Sequence, residues 1–211
     1  MRFKLLVLLL LFASPAGADW TGVAMDFADV NSDWKFNDGS REAQTSAVSF
    51  QIEEKAESEL RVGFGIGYMS MRIVADIAAE TRKFDGEYLR IYLRQPVRIN
   101  ESMSLHGLLS YRYNTGRDND ETDPAEIDWT ETSLQIGVSL RFANYRLTPF
   151  TTVRHVDGDI SDDDGIEVFD LDEPQSHGIR FDYFFDDTSF LGIEVLSGGQ
   201  AGGYLSFVRR Y

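Results

Sequence analysis

The stretch Glu59-Leu60-Arg61-Val62-Gly63-Phe64-Gly65-Ile66-Gly67-Tyr68-Met69-Ser70-Met71 places large apolar side chains at every second position. Leu60, Val62, Phe64, Ile66 and Tyr68 share one face, and Arg61, Gly63, Gly65, Gly67 and Met69 share the other. A helix, turning once in about 3.6 residues, would spread that row around its whole circumference, whereas a strand gathers it on one side. The same two-residue rhythm recurs over 20–30, 45–54, 88–97, 102–114, 130–142, 147–156, 176–185, 189–197 and 202–211. The rhythm is faintest in 147–156, where Pro149 and several threonines blur the two faces. The chain therefore reads as all-β, with ten strands, or eight if two of the segments form hairpins outside the main sheet.

Spacing between the segments sorts them into an order. The connections 55–58, 98–101, 143–146 and 186–188 are tight, while 31–44, 70–87, 115–129 and 157–175 are long; the remaining connection, 198–201, is short. Tight turns on one rim and long loops on the other are how antiparallel barrels of bacterial outer membranes are built, turns in the periplasm and loops outside. Each segment also has about the 9–13 residues that a tilted strand needs to cross such a bilayer. The piece 72–80 is left open between a strand extension and a short helix.

The N-terminus and the composition agree with export. Arg2 and Lys4 precede an apolar run from Leu5 to Phe12, and Pro15, Ala16, Gly17 and Ala18 follow. A basic start, an apolar stretch too short to span a bilayer and a small-residue end read as a signal peptide cut after Ala18, leaving one barrel domain over 19–211. Removing it would leave 18 Lys and Arg against 35 Asp and Glu, a net charge of −17. Nonspecific nucleic-acid binding is disfavoured at that charge, since there is no basic surface to displace phosphate counterions. With no cysteine there is neither a disulfide framework nor thiolate chemistry. No run approaches the roughly 18–20 apolar residues of a transmembrane helix, so entry into a membrane must use strands.

Charge placement indicates which row faces outward. Arg61, Arg90, Arg94, Arg112, Arg141, Arg154, Arg180 and Arg210 lie on the polar rows, together with Asp26, Glu131, Asp182 and Glu194, and no lysine lies within a segment. Arginine facing lipid at the midplane costs roughly 2–4 kcal/mol, so turning this row outward would exceed a typical total stability of about 5–15 kcal/mol. A lumen filled by Arg–carboxylate pairs is expected, with Tyr88, Tyr92, Phe150, Phe184 and Phe190 also pointing inward and Gly63, Gly65 and Gly67 leaving them room. Tyr68, Tyr111, Tyr113, Phe142, Tyr183 and Phe185 fall near segment ends on the apolar row, where aromatic girdles occur. A water-soluble barrel with its apolar row inside would show the same alternation and is the reading outside the membrane class.

The chain resembles the small outer-membrane barrels of the OmpA and OmpX type. The resemblance rests on architecture over 19–211 and on the terminal stretch Gly203-Tyr204-Leu205-Ser206-Phe207-Val208-Arg209-Arg210-Tyr211. In that family a last strand of alternating apolar residues with a final aromatic is read by the barrel-assembly machinery, which implies that role for Leu205, Phe207 and Tyr211; Arg209 interrupts the row. The implied surroundings are outer-membrane lipid and lipopolysaccharide.

Chemistry-bearing residues are few. Asp157, Asp159, Asp162, Asp163, Asp164 and Glu167 cluster in one acidic stretch and are candidate ligands for a hard divalent cation such as calcium, although their spacing does not match an EF-hand. His106, His155 and His177 are the whole histidine complement, and no pattern around them suggests nucleophilic catalysis. The expectation is therefore a non-enzymatic barrel without cofactor, whose acidic loops meet cations or a surface partner. A narrow anion channel and a lipid-modifying or proteolytic enzyme are the alternatives.

Overall fold

The structure is a computed structural model of the whole chain, described over residues 20–56, 59–74, 81–118, 124–162 and 165–211. The signal peptide expected at 1–18 lies outside these residues. Among the described residues every regular element is a strand: β1 (Trp20–Phe36), β2 (Gly39–Lys55), β3 (Arg61–Val74), β4 (Thr81–Arg98), β5 (Met103–Asp118), β6 (Glu126–Phe142), β7 (Tyr145–Asp162), β8 (Gly165–Leu171), β9 (Gln175–Phe184), β10 (Ser189–Gly198) and β11 (Ala201–Arg210). Each pairs antiparallel with its neighbours, and β11 closes onto β1. The ten strands expected from alternation are all present. Most of them are longer than the rhythm indicated, because 31–44 and 115–129 largely extend the strands that they join. The open segment 72–80 resolves as strand to Val74, and 75–80 lie outside the described residues.

Register fixes the shape. From Met25 the pairing runs through Phe50, Ile66, Leu89, Tyr113 and Thr130 to Asp157 on β7. In the other direction it runs through Phe207, Leu191 and Tyr183 to Tyr145 on the same strand. From Tyr145 to Asp157 is an offset of twelve residues, so ten strands close with a shear of twelve and tilt by about 40° to the axis.

A second closure lies above the first. β8 continues the path of β9 along β7, separated from it by a jog at 172–174, and pairs with β7 on one side and with Trp34–Phe36 of β1 on the other. Asp157 leads through Asp170 to Lys35, ten residues beyond Met25. Eight strands therefore close with a shear of ten, at nearly the same tilt and on a radius smaller by about a fifth. The short hairpin β10–β11 is a wedge inserted between β9 and β1 in one half of the barrel only. Above its tip the eight-stranded ring forms a narrower collar.

The two halves are packed in opposite senses. In the half carrying the tight turns, the outward row is apolar: Met25, Phe27, Phe50, Ile66, Ile91, Leu109, Leu134, Ile136, Ile179, Ile193 and Phe207 are all exposed. That belt is roughly 20 Å tall along the axis. In the collar the rows exchange character without changing direction. On β1, Phe27 points outward but so do Asp29, Asn31, Asp33 and Lys35, while Val30, Trp34 and Phe36 are buried inside. On β3 the inward row passes from Gly63, Gly65 and Gly67 to Met69, Met71 and Ile73. The collar interior is thus a hydrophobic core in which Trp34 stacks on Phe169 at 4.4 Å and meets the edge of Trp129 at 5.3 Å.

Candidate functional site

The inward row of the wide half lines a polar chamber of about 250 Å³. Collar core residues close it at the loop end; towards the turn end Arg94 keeps a third of its side chain exposed. Strand alternation puts these groups there, since every second residue of a barrel strand faces the lumen. Tyr92 lies flat over Gly63 and Tyr88 over Gly67, where a Cβ would come within 2.0 and 2.4 Å of ring carbons. The glycines thus allow two aromatic rings to cross the lumen beside their neighbouring strand.

Three ion-pair groups fill the chamber. Glu131 accepts from Arg112 at 2.7 Å and lies 3.7 Å from Arg154. Asp182, fully buried, accepts from Arg146 and Arg180, each at 2.8 Å, and Arg180 also lies 3.5 Å from Glu194. Glu53 takes Arg61 at 2.7 Å and Arg94 at 3.5 Å. Asp26 accepts from the Gln51 amide. Guanidinium planes also cover rings: Arg112 over Tyr88, Arg90 and Arg94 over Tyr92, and Arg146 and Arg210 over Phe190. Planar guanidinium suits both kinds of partner, and shared carboxylates offset the cost of withdrawing charge from water.

The expected lumen residues Asp26, Arg61, Arg90, Arg94, Arg112, Glu131, Arg154, Arg180, Asp182, Glu194 and Arg210 all line the chamber. Arg141 instead sits exposed at the turn rim, its guanidinium 5.0 Å over the Phe184 ring. Sequence reading missed Glu53 and Arg146. Glu53 shares the parity of Gln51, which marked it as inward. Arg146 was assigned to a turn, but it shares the inward parity of Thr148 on a strand that begins at Tyr145. Arg154 sits where the two rings meet, donating to Ser32 on β1 at 3.2 Å and to the Gly199 carbonyl at the wedge tip at 2.9 Å.

The acidic stretch is dispersed. Asp162 pairs with Arg82 at 2.7 Å and Glu167 with Arg41 at 2.8 Å, while Asp157 and Asp159 follow the outward row of β7; Asp163 and Asp164 lie outside the described residues. Among the described residues no group of three metal-ligating side chains comes together. His155 and His177 face outward at the base of the collar, His177 3.0 Å from Thr151. His106 lines the chamber, 3.4 Å from Ser139, whose shorter hydrogen bond of 2.9 Å goes to Thr148. Leu205 and Phe207 point outward on β11, and Arg209 leans over the exposed Tyr211 ring at 5.5 Å.

No protein-family model and no curated protein sequence matches the chain. Solved structures do. The translocator domain of the autotransporter NalP from Neisseria meningitidis aligns with a TM-score of 0.52 at 12% identity, over 100% of this chain and 95% of that one. The outer membrane protease OmpT from Escherichia coli aligns with a TM-score of 0.55 at 7% identity, over 94% of this chain and 99% of that one. A closed antiparallel barrel, apolar on the outside of one half and charged within, is the fold of outer-membrane β-barrels, and this chain has it in its ten-stranded half.

Proposed function

We propose that the protein is a β-barrel of a Gram-negative outer membrane that neither conducts solutes nor catalyses a reaction, and that it acts through the acidic outer face of its collar. The observation that carries this reading is the exchange of rows between the two halves. An outward apolar belt belongs in lipid, and an outward row of Asp29, Asp33, Glu42, Asp85, Glu87, Asp157 and Asp159 belongs in water. The collar therefore stands beyond the bilayer as a rigid extension of the barrel. Its acidic face suits divalent cations, and through them the phosphate-bearing lipopolysaccharide around it. The eight-stranded closure of this part is also what most resembles the small OmpA and OmpX type barrels.

The collar interior supports the absence of conductance. Trp34, Phe84, Ile127, Trp129 and Phe169 are almost fully buried and fill the ring, so an ion leaving the chamber would have to cross a packed apolar core. In planar bilayers the purified protein is expected to give no single-channel steps. Reproducible steps lost on Arg90→Ala or Arg112→Ala would replace this reading with an anion channel.

A further inference from the structure

Charge in the chamber is not evenly neutralised. Its inner half holds Arg90, Arg112 and Arg154 against Asp26, Glu131 and Glu194, three of each sign. Its mouth holds Arg61, Arg94, Arg146, Arg180 and Arg210 against Glu53 and Asp182. Arg180 reaches Glu194 across that boundary at 3.5 Å, so at least two of the three excess positive charges lie at the mouth. Glu53 is already shared by Arg61 and Arg94, and Asp182 by Arg146 and Arg180. Arg210 makes no ion pair among the described residues: its guanidinium rests 5.1 Å over the Phe190 ring, and its Nε is buried with no hydrogen-bond partner. A buried guanidinium N–H without an acceptor is costly, and among the described residues the carboxylate that acts on Arg210 is Glu53, already shared by Arg61 and Arg94.

We propose that the mouth of the chamber is a binding site for a small polyvalent oxyanion of the phosphate class, held by Arg61, Arg94, Arg146 and Arg210. An anion of two or three charges would neutralise the excess, and its several oxygens would occupy the donors that two shared carboxylates leave unfilled. Guanidinium forks match that geometry better than ammonium groups, and no lysine lines the chamber. The chamber has room for a pyrophosphate-sized solute, and among the described residues it opens toward the turn end, where Arg94 is a third exposed.

The test is equilibrium binding of inorganic pyrophosphate to the protein purified in zwitterionic detergent at low ionic strength, with each variant first checked as folded by its gel shift on boiling. One saturable site is expected, weakening as salt rises. Arg210→Gln and Arg94→Gln should each weaken it by at least about tenfold, while Arg90→Gln, in the inner half, should change it by less than about threefold. Should Arg210→Gln fail to fold, Arg94→Gln reads the same contact. No saturable binding to the parent protein would overturn the proposal, as would equal weakening by Arg90→Gln, which would mean that overall charge and not the mouth attracts the anion.

Discussion

At Gly63 the barrel tolerates no side chain, because the Tyr92 ring occupies the space that a Cβ would need. Gly63→Val is expected to cost about 1–3 kcal/mol, the usual penalty of overpacking. That loss should shrink when Tyr92→Ala is present as well, since the two changes meet at one point. Denaturant unfolding of the single and double variants reads the coupling. At the turn between β9 and β10, Asp186 accepts from the Thr188 hydroxyl and backbone N–H, each at 2.7 Å, and from the Ser189 N–H at 2.6 Å. These donors, led by the Thr188 hydroxyl, favour the carboxylate and hold its pKa down to about 2, below the ordinary 3.8. A depressed carboxylate stabilises the folded state above its unfolded pKa, and the contribution is lost as pH falls through the folded one. The turn should therefore be tightest above about pH 4 and loosen between about pH 4 and pH 2. An Asp186 carboxyl resonance titrating near 4 would contradict this.

Among the elements, β8 and the β10–β11 hairpin divide the work of closure. The hairpin widens one half, and β8 seals the other by bridging β7 and β1. Among the described residues β1 meets β8 through Trp34–Phe36 and one further backbone bond from Asp172 to Asp33, so that seam depends on side-chain packing more than on its ladder. Trp34→Ala removes the ring that lies between Phe169 and Trp129, a change that costs about 3–5 kcal/mol in a packed core. Hydrogen exchange is expected to quicken at β8 amides while β9, β10 and β11 keep their protection. Uniform loss of protection over both halves would show that the collar is not a separately stabilised layer.

For the whole molecule, the exchange of inside and outside chemistry sets orientation. The chain has no cysteine, so a single introduced thiol reports its own side of the membrane. Lys35→Cys, outward on the collar, is expected to react with an impermeant maleimide on intact cells, and Asn100→Cys, in the turn between β4 and β5, only after the envelope is opened. The reverse result would invert the barrel, and a protein freely released by osmotic shock would remove it from the membrane.

Alternation in the sequence determined the strands, their antiparallel order and the rows that Arg61, Arg90, Arg112, Arg180 and Asp182 occupy, because a period of two leaves each side chain only two directions. It also indicated that Gly63, Gly65 and Gly67 leave room for inward aromatic rings; the register then placed Tyr92 over Gly63 and Tyr88 over Gly67. Tertiary structure decided what a chain reading as loops beyond the belt would do. In 31–44 the apolar residues Trp34, Phe36 and Ala43 lie on the inward row, yet a reader following the outward apolar row of the belt sees the rhythm stop there. The strand had not ended; the medium around it had changed, and the row to be kept from that medium changed with it. Neither the wedge nor the unpaired Arg210 is written in any local pattern. Both follow from closure, since only the register around the ring determines which strands meet and which charges share a carboxylate.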